Sequence, residues 1–225
     1  MTLPDLEPLW LTLKLAATVT LLLLLLGTPL AIWLARSRSR LRPVVEAITA
    51  LPLVLPPTVL GFYLLLVFNP NAPLGAFWVT ATGNTLTFSF VGLVIASLIY
   101  SLPFTVQPLQ TAFSALGRDP AEAAASLGAG PMDAFLTVIA PLAARGYLTA
   151  AVLTFAHTIG EFGIVLMVGG NIPGQTRVIS IAIYEQVETL DYASAHVLSG
   201  LLLGFSFLTL VALYTINGRT GMMRK

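Results

Sequence analysis

The sequence predicts an all-α fold, a polytopic membrane helix bundle of about five transmembrane helices in a single domain over residues 1–225. Of these residues, 56% are hydrophobic and only 9% are charged, whereas a soluble domain carries about 25% charged residues. In addition, 21 uncharged residues separate Lys14 from Arg36, and 71 separate Glu46 from Arg118. A helix that crosses the bilayer needs about 20 apolar residues. This composition excludes both a soluble globule and a disordered chain.

Five spans are predicted in chain order. The first lies between Lys14 and Arg36. A turn-rich segment at 69–75 divides the longest uncharged stretch into a second span near 44–68 and a third near 87–110. The fourth is placed near 146–169 and the fifth near 193–216. Prolines are expected to interrupt the second and third spans, because proline has no N–H to donate. They are Pro52, Pro56, Pro57, Pro103 and Pro108.

The distribution of basic residues predicts the orientation. Four arginines lie between the first two spans, Arg118 and Arg145 flank the link between the third and fourth, and three basic residues follow the fifth. These are nine of the 11 basic residues, and the positive-inside rule makes their side cytoplasmic. The amino terminus is then outside and the carboxyl terminus inside, which fits an odd number of spans.

The longest cytoplasmic segment, residues 111–145, contains a short predicted helix. Asp119 is expected to cap its start, Pro120 suits the first helical position, and Glu122 completes a capping box. Gly128 is expected to adopt the left-handed conformation that ends the helix. The result is a slim helix on which another protein could dock. A plain connector between two spans is the competing interpretation.

Four polar residues follow helical spacing in the fourth span. They are Thr154, His157, Thr158 and Glu161. A carboxylate at membrane depth is costly and marks either a function or a paired structural site. We therefore expect this stripe to face the bundle interior or a subunit interface. Two interpretations stay open: Glu161 is structural and pairs with His157, or Glu161 lines a transport path.

The chain shows no motif for catalysis or for a cofactor. Its only lysines, Lys14 and Lys225, lie outside any phosphate-binding loop of the G-x-x-x-x-G-K type. There is no cysteine, and two histidines are too few for a metal cluster. A net charge of +1 gives no reason to expect nucleic acid as a partner. We expect no enzymatic activity, cofactor or metal, so any ATP hydrolysis must come from another chain.

The cytoplasmic loop resembles the EAA loop of ABC importer permeases. The matching residues are Glu122, Ala123, Ala124, Gly128 and Pro141. In that family the loop forms a coupling helix that docks on the ATP-binding subunit. The resemblance therefore implies that these residues, together with Asp119, couple the chain to such a subunit.

Further segments resemble molybdate permeases within the sulfate, molybdate and tungstate group. They are residues 51–57, 160–163, 171–177 and 183–192, and the resemblance covers roughly 10–216. It implies a type I ABC importer permease of MetI-like fold in the cell inner membrane. Molybdate is the expected cargo, tungstate and sulfate are the alternatives, and a stand-alone channel or secondary transporter is the competing class. The implied partners are two copies of the ATP-binding subunit, an extracytoplasmic molybdate-binding protein, a second copy of this chain in a homodimer, and membrane lipid.

Overall fold

The computed structural model describes residues 6–222, except for the side chains at 213 and 216–222. These residues form eleven helices and no strand, as the sequence predicts. The first five are α1 (Glu7–Arg36), α2 (Arg42–Val54), α3 (Pro57–Phe68), α4 (Pro73–Thr82) and α5 (Phe90–Leu116). The next three are α6 (Asp119–Ser126), α7 (Pro131–Leu142) and α8 (Ala144–Ile159). The last three are α9 (Gly163–Gly169), α10 (Ile179–Glu188) and α11 (Tyr192–Met222).

Helices α1, α5 and α8 pack on one another and form the centre of the bundle. Apolar side chains fill this centre, and Leu15, Val19 and Leu93 are fully buried there. A second apolar cluster surrounds Val106 and Phe113 near the other end of α5. Because lipid is as apolar as leucine, close packing and hydrogen bonds stabilise such contacts more than the hydrophobic effect does.

The predicted number of spans agrees with the structure, but two spans are not straight helices. Within the described residues, α1, α5 and α11 are each long and apolar enough to cross a membrane. The count reaches 5 if each of two bent helix pairs is one span. One pair is α2 with α3, which meet at 111°, and the other is α7 with α8, which meet at 73°. Arg224 and Lys225, which enter the charge count, lie outside the described residues.

The prolines act differently from the expectation. Pro56 and Pro57 do break the second span, because a residue before proline is driven to extended backbone, and Leu55 and Pro56 both adopt it. Pro103 and Pro108 lie inside the continuous helix α5, and Pro52 lies inside α2, so the predicted interruption there is wrong. Helix α5 continues through both prolines, and α1 and α8 pack along it.

The fourth span, predicted as one helix near 146–169, is divided in two. Helix α8 ends at Ile159 and α9 begins at Gly163. The break brings α9 against α3: a β-carbon added at Gly163 would lie 3.0 Å from the β-carbon of Pro57, and one at Gly61 would lie 2.8 Å from that of Met167. Only glycine allows these two half-helices to approach so closely.

Candidate functional site

Hydroxyl groups join α5 to α8 in the middle of the bundle. Ser97, Ser101 and Thr105 recur every four residues along α5 and are fully buried. The hydroxyls of Thr105 and Thr154 lie 2.5 Å apart, and those of Ser101 and Thr158 lie 3.0 Å apart. We call the set the polar seam. It consists of Ser97, Ser101, Thr105, Thr154, His157, Thr158 and Glu161.

Glu161 lies in the break between α8 and α9 and is only 3% exposed. Its Oε2 accepts a hydrogen bond from Ser97 at 2.5 Å, and its Oε1 accepts one from Ser101 at 2.7 Å. Its backbone carbonyl accepts a third from the Ser180 hydroxyl at 2.5 Å. Both carboxylate oxygens are therefore satisfied within the chain, which lowers the cost of burying this group.

His157 is the member of the polar seam that faces open space. Its ring stacks on Phe104 with centroids 3.9 Å apart and lies 4.8 Å from the ring of Tyr100. Its Nδ1 is 2.9 Å from the Ser101 hydroxyl and 3.5 Å from Oε1 of Glu161. The ring borders a cleft of about 510 Å³, which is also lined by Thr58 at the start of α3. The cleft therefore lies between the start of α3 and the break that separates α8 from α9.

The four predicted polar residues do come together, but not along one helical face. The expectation that Glu161 continues the helix is wrong, because α8 ends two residues before it. The stripe faces α5, so it lies inside the bundle. Three further hydroxyls of the site were not predicted, although their spacing of four residues in an apolar span was a usable signal: Ser97, Ser101 and Thr105.

The predicted cytoplasmic helix is present as α6. It ends at a left-handed glycine, as expected, but its first turn lacks the expected side-chain cap. No side-chain hydrogen bond caps its first turn in the structure, so the capping box of Asp119 and Glu122 is wrong. Their carboxylates still lie in the first turn, where the helix dipole favours negative charge. At the end, Gly128 has φ +88°, and Ala129 N–H bonds to the carbonyl of Ala124 at 3.0 Å. This is a Schellman motif.

One face of α6 turns toward its own chain. Ala124 is 7% exposed and packs inward, so it cannot supply contact area to a partner. Glu122, Ala123 and Gly128 are exposed, and so is Pro141 on α7. Leu127, which is 89% exposed at the end of α6, was not among the predicted site residues. Its apolar side chain, directly before the glycine that ends the helix, could have indicated a contact residue.

A solved ABC transporter structure matches this chain in fold. The structure titled "Inward facing conformations of the MetNI methionine ABC transporter: CY5 native crystal form" matches with a TM-score of 0.71. The match has 19% sequence identity and covers 94% of this chain and 93% of the other. The chain belongs to the family of binding-protein-dependent transport system inner membrane components, whose family model matches residues 27–218.

Curated relatives give a finer comparison. The chain is 57% identical to the molybdenum transport system permease protein ModB of Azotobacter vinelandii, over 94% of this chain and 93% of the relative. It is 31% identical to the sulfate transport system permease protein CysT of Escherichia coli, over 87% of this chain and 70% of the relative. Family membership and the apolar helices together make the chain a multi-pass membrane protein.

Proposed function

We propose that this chain is the permease subunit of an ATP-driven importer that carries molybdate across the inner membrane. The main support for this proposal is sequence identity. The chain is 57% identical to a molybdenum permease over 94% of its length, but only 31% identical to a sulfate permease. The chain contributes the membrane path and has no ATPase site of its own. A binding protein delivers the oxyanion on the outer side, and two ATP-binding subunits dock on a homodimer of permeases from the cytoplasm.

Within this proposal, α6 is the coupling helix. Its coupling surface comprises Glu122, Ala123, Leu127 and Gly128, with Asp119 in the first turn and Pro141 on the adjoining helix α7. Leu127, at 89% exposure, supplies an apolar anchor, and Glu122 supplies a charge beside it. Ala124 has an indirect role, because its buried side chain packs α6 against the bundle. Closure of the ATP-binding subunits on ATP would move this surface and switch the path.

The polar seam has a structural role in the proposal. Both carboxylate oxygens of Glu161 accept hydrogen bonds from α5. The residue therefore anchors the segment between α8 and α9 to the bundle. An ionised carboxylate would also repel an oxyanion that approached it. His157 and Thr58 border the cleft together with Glu161, and both could donate a hydrogen bond to an anion. Thr154 and Thr158 hold α8 on α5.

The cargo is tested by the ATPase activity of the reconstituted transporter. Binding protein loaded with molybdate should stimulate ATP hydrolysis and uptake, and sulfate-loaded protein should stimulate them at least tenfold less. Tungstate is a close mimic of molybdate and serves as the positive control. Equal stimulation by sulfate would overturn the molybdate assignment, and stimulation without any ATP-binding subunit would overturn the importer proposal.

The orientation is tested by single cysteines in this cysteine-free chain. Ser39→Cys lies in the exposed arginine-rich loop after α1, and Asn71→Cys lies in the exposed turn before α4. We expect an impermeant thiol reagent to label Asn71→Cys in intact cells and Ser39→Cys only after permeabilisation. The opposite pattern would reverse the orientation, and labelling of both in intact cells would mean that α2 and α3 do not cross the membrane as one span.

A further inference from the structure

Four arginines surround a cavity of about 250 Å³ at one end of the bundle. They come from three segments: Arg36 ends α1, Arg38 and Arg42 flank the loop that follows it, and Arg118 follows α5. In the described part of the chain, Arg42 alone of the four pairs with a carboxylate, that of Glu46 at 3.1 Å. The cavity is therefore strongly electropositive.

One arginine of the cavity wall, Arg36, has an unsatisfied donor. The Nε of Arg36 is buried and has no hydrogen-bond partner among the described residues. Arg118 does not relieve it, because its Nη2 donates to the backbone carbonyl of Arg36 at 3.4 Å. A buried donor without an acceptor costs free energy, and each such group needs an explanation. Arg36 therefore brings to the cavity wall a guanidinium group that no carboxylate among the described residues neutralises.

An apolar groove of about 600 Å³ shares Arg36 with this cavity. It runs along α1 past Leu25 and Ile32, and its other wall is formed by Met132 and Phe135 of α7. An arginine-lined cavity next to an apolar groove matches a molecule with an anionic head and a hydrocarbon tail. The arginines stand where α1 and α5 end, which is the depth of lipid headgroups.

We propose that the arginine cavity and the adjoining groove bind one anionic phospholipid, with its phosphate among Arg36, Arg38 and Arg118 and an acyl chain along α1. Free phosphate has the same anionic group but no acyl chain to occupy the groove. A zwitterionic phospholipid has the tail but lacks the net charge. The lipid also touches α7, which packs on the coupling helix α6, so its binding would steady that helix.

Native mass spectrometry of the purified full-length permease tests this site, with palmitoyl-oleoyl phosphatidylglycerol as the probe. We expect wild-type protein to retain the lipid in preference to the phosphatidylcholine of the same chains. Arg36→Gln and Arg38→Gln should each weaken binding about fivefold, as expected for one basic group at a charged membrane surface. Arg40→Gln is the matched control, because Arg40 is exposed in the same loop and does not line the cavity.

Thermal unfolding provides a second readout. Added phosphatidylglycerol should raise the unfolding midpoint of wild type and of Arg40→Gln, and should raise that of Arg38→Gln much less. Arg38 is exposed, so this variant keeps the test valid if Arg36→Gln does not fold. Leu25→Ala should weaken retention of the lipid, whereas Leu26→Ala, also exposed but outside the groove, should not.

Four results would overturn the lipid site. They are unchanged binding in both arginine variants, equal retention of phosphatidylcholine, displacement of the lipid by equimolar inorganic phosphate, and absence of the lipid from the assembled transporter. The third result would mean a free-anion site, and the fourth would mean that the ATP-binding subunit covers the cavity. None of these results depends on which oxyanion the transporter carries.

Discussion

Replacing Gly128 by valine is expected to abolish uptake while leaving the permease in the membrane. Gly128 has φ +88°, a conformation that costs an ordinary L-residue about 1–2 kcal/mol and a β-branched residue more. A β-carbon at this position would meet nothing within 4 Å, so the strain arises from the backbone alone. Relief of that strain would open the Schellman motif and turn Leu127 away from its exposed position. Helix α6 lies outside the five spans, so insertion should be normal.

Gly130→Val is the matched control. Gly130 is also free of neighbours within 4 Å, but its φ of −68° and ψ of 164° lie in the extended region that valine favours. Gly128→Asn should largely rescue function, because asparagine tolerates the left-handed conformation. The measurements are membrane level, co-purification of the ATP-binding subunit, and ATPase stimulation by loaded binding protein. Normal transport by Gly128→Val would show that α6 is only a connector.

Glu161→Gln is expected to lower the stability of the permease by about 1–3 kcal/mol, and uptake with it. The carboxylate accepts hydrogen bonds from Ser97 and Ser101 on separate oxygens, whereas an amide keeps one oxygen and places a donor at the other position. The hydroxyl at that position can no longer donate to the side chain of residue 161 and must turn to accept from its N–H₂ group. The Ser180 hydroxyl donates to the backbone carbonyl of Glu161, and the substitution leaves this hydrogen bond in place. The change in stability therefore reports on the side chain.

A double-mutant cycle with Ser97→Ala separates this contact from general damage. Removing Ser97 first removes one donor, so Glu161→Gln should cost less in the Ser97→Ala background than in wild type. Glu188→Gln is the control, because Glu188 is exposed and accepts its hydrogen bond from Tyr184 outside the bundle. The measurement is the thermal unfolding midpoint in detergent, together with uptake. Additive effects of the two changes would contradict direct coupling of Glu161 to α5.

Local features of the chain were predictable wherever one segment decides its own structure. The end of α6 depends on the positive φ of a glycine after an alanine-rich turn, and both are visible in the sequence. The prolines show where this reasoning stops. Pro56 and Pro57 act together and break a helix, whereas Pro103 and Pro108 lie in a helix that α1 and α8 pack along. The helices that surround Pro103 and Pro108 come from other parts of the chain, so the sequence of α5 alone does not show that these prolines are tolerated.

The scarcity of charged residues was enough to predict a membrane helix bundle with about five spans, because such a chain is not stable in water. The local pattern was likewise enough to predict helix α6 and its end. The break between α8 and α9 and the contacts of Glu161 depend instead on packing between segments that are far apart in the chain. Thr154, His157, Thr158 and Glu161 have helical spacing whether or not the helix continues to position 161. The hydroxyls that satisfy the carboxylate come from α5, 60 and 64 residues earlier in the chain. Likewise, Ala124 is buried because the bundle lies behind α6, and an alanine run has no intrinsic inner face.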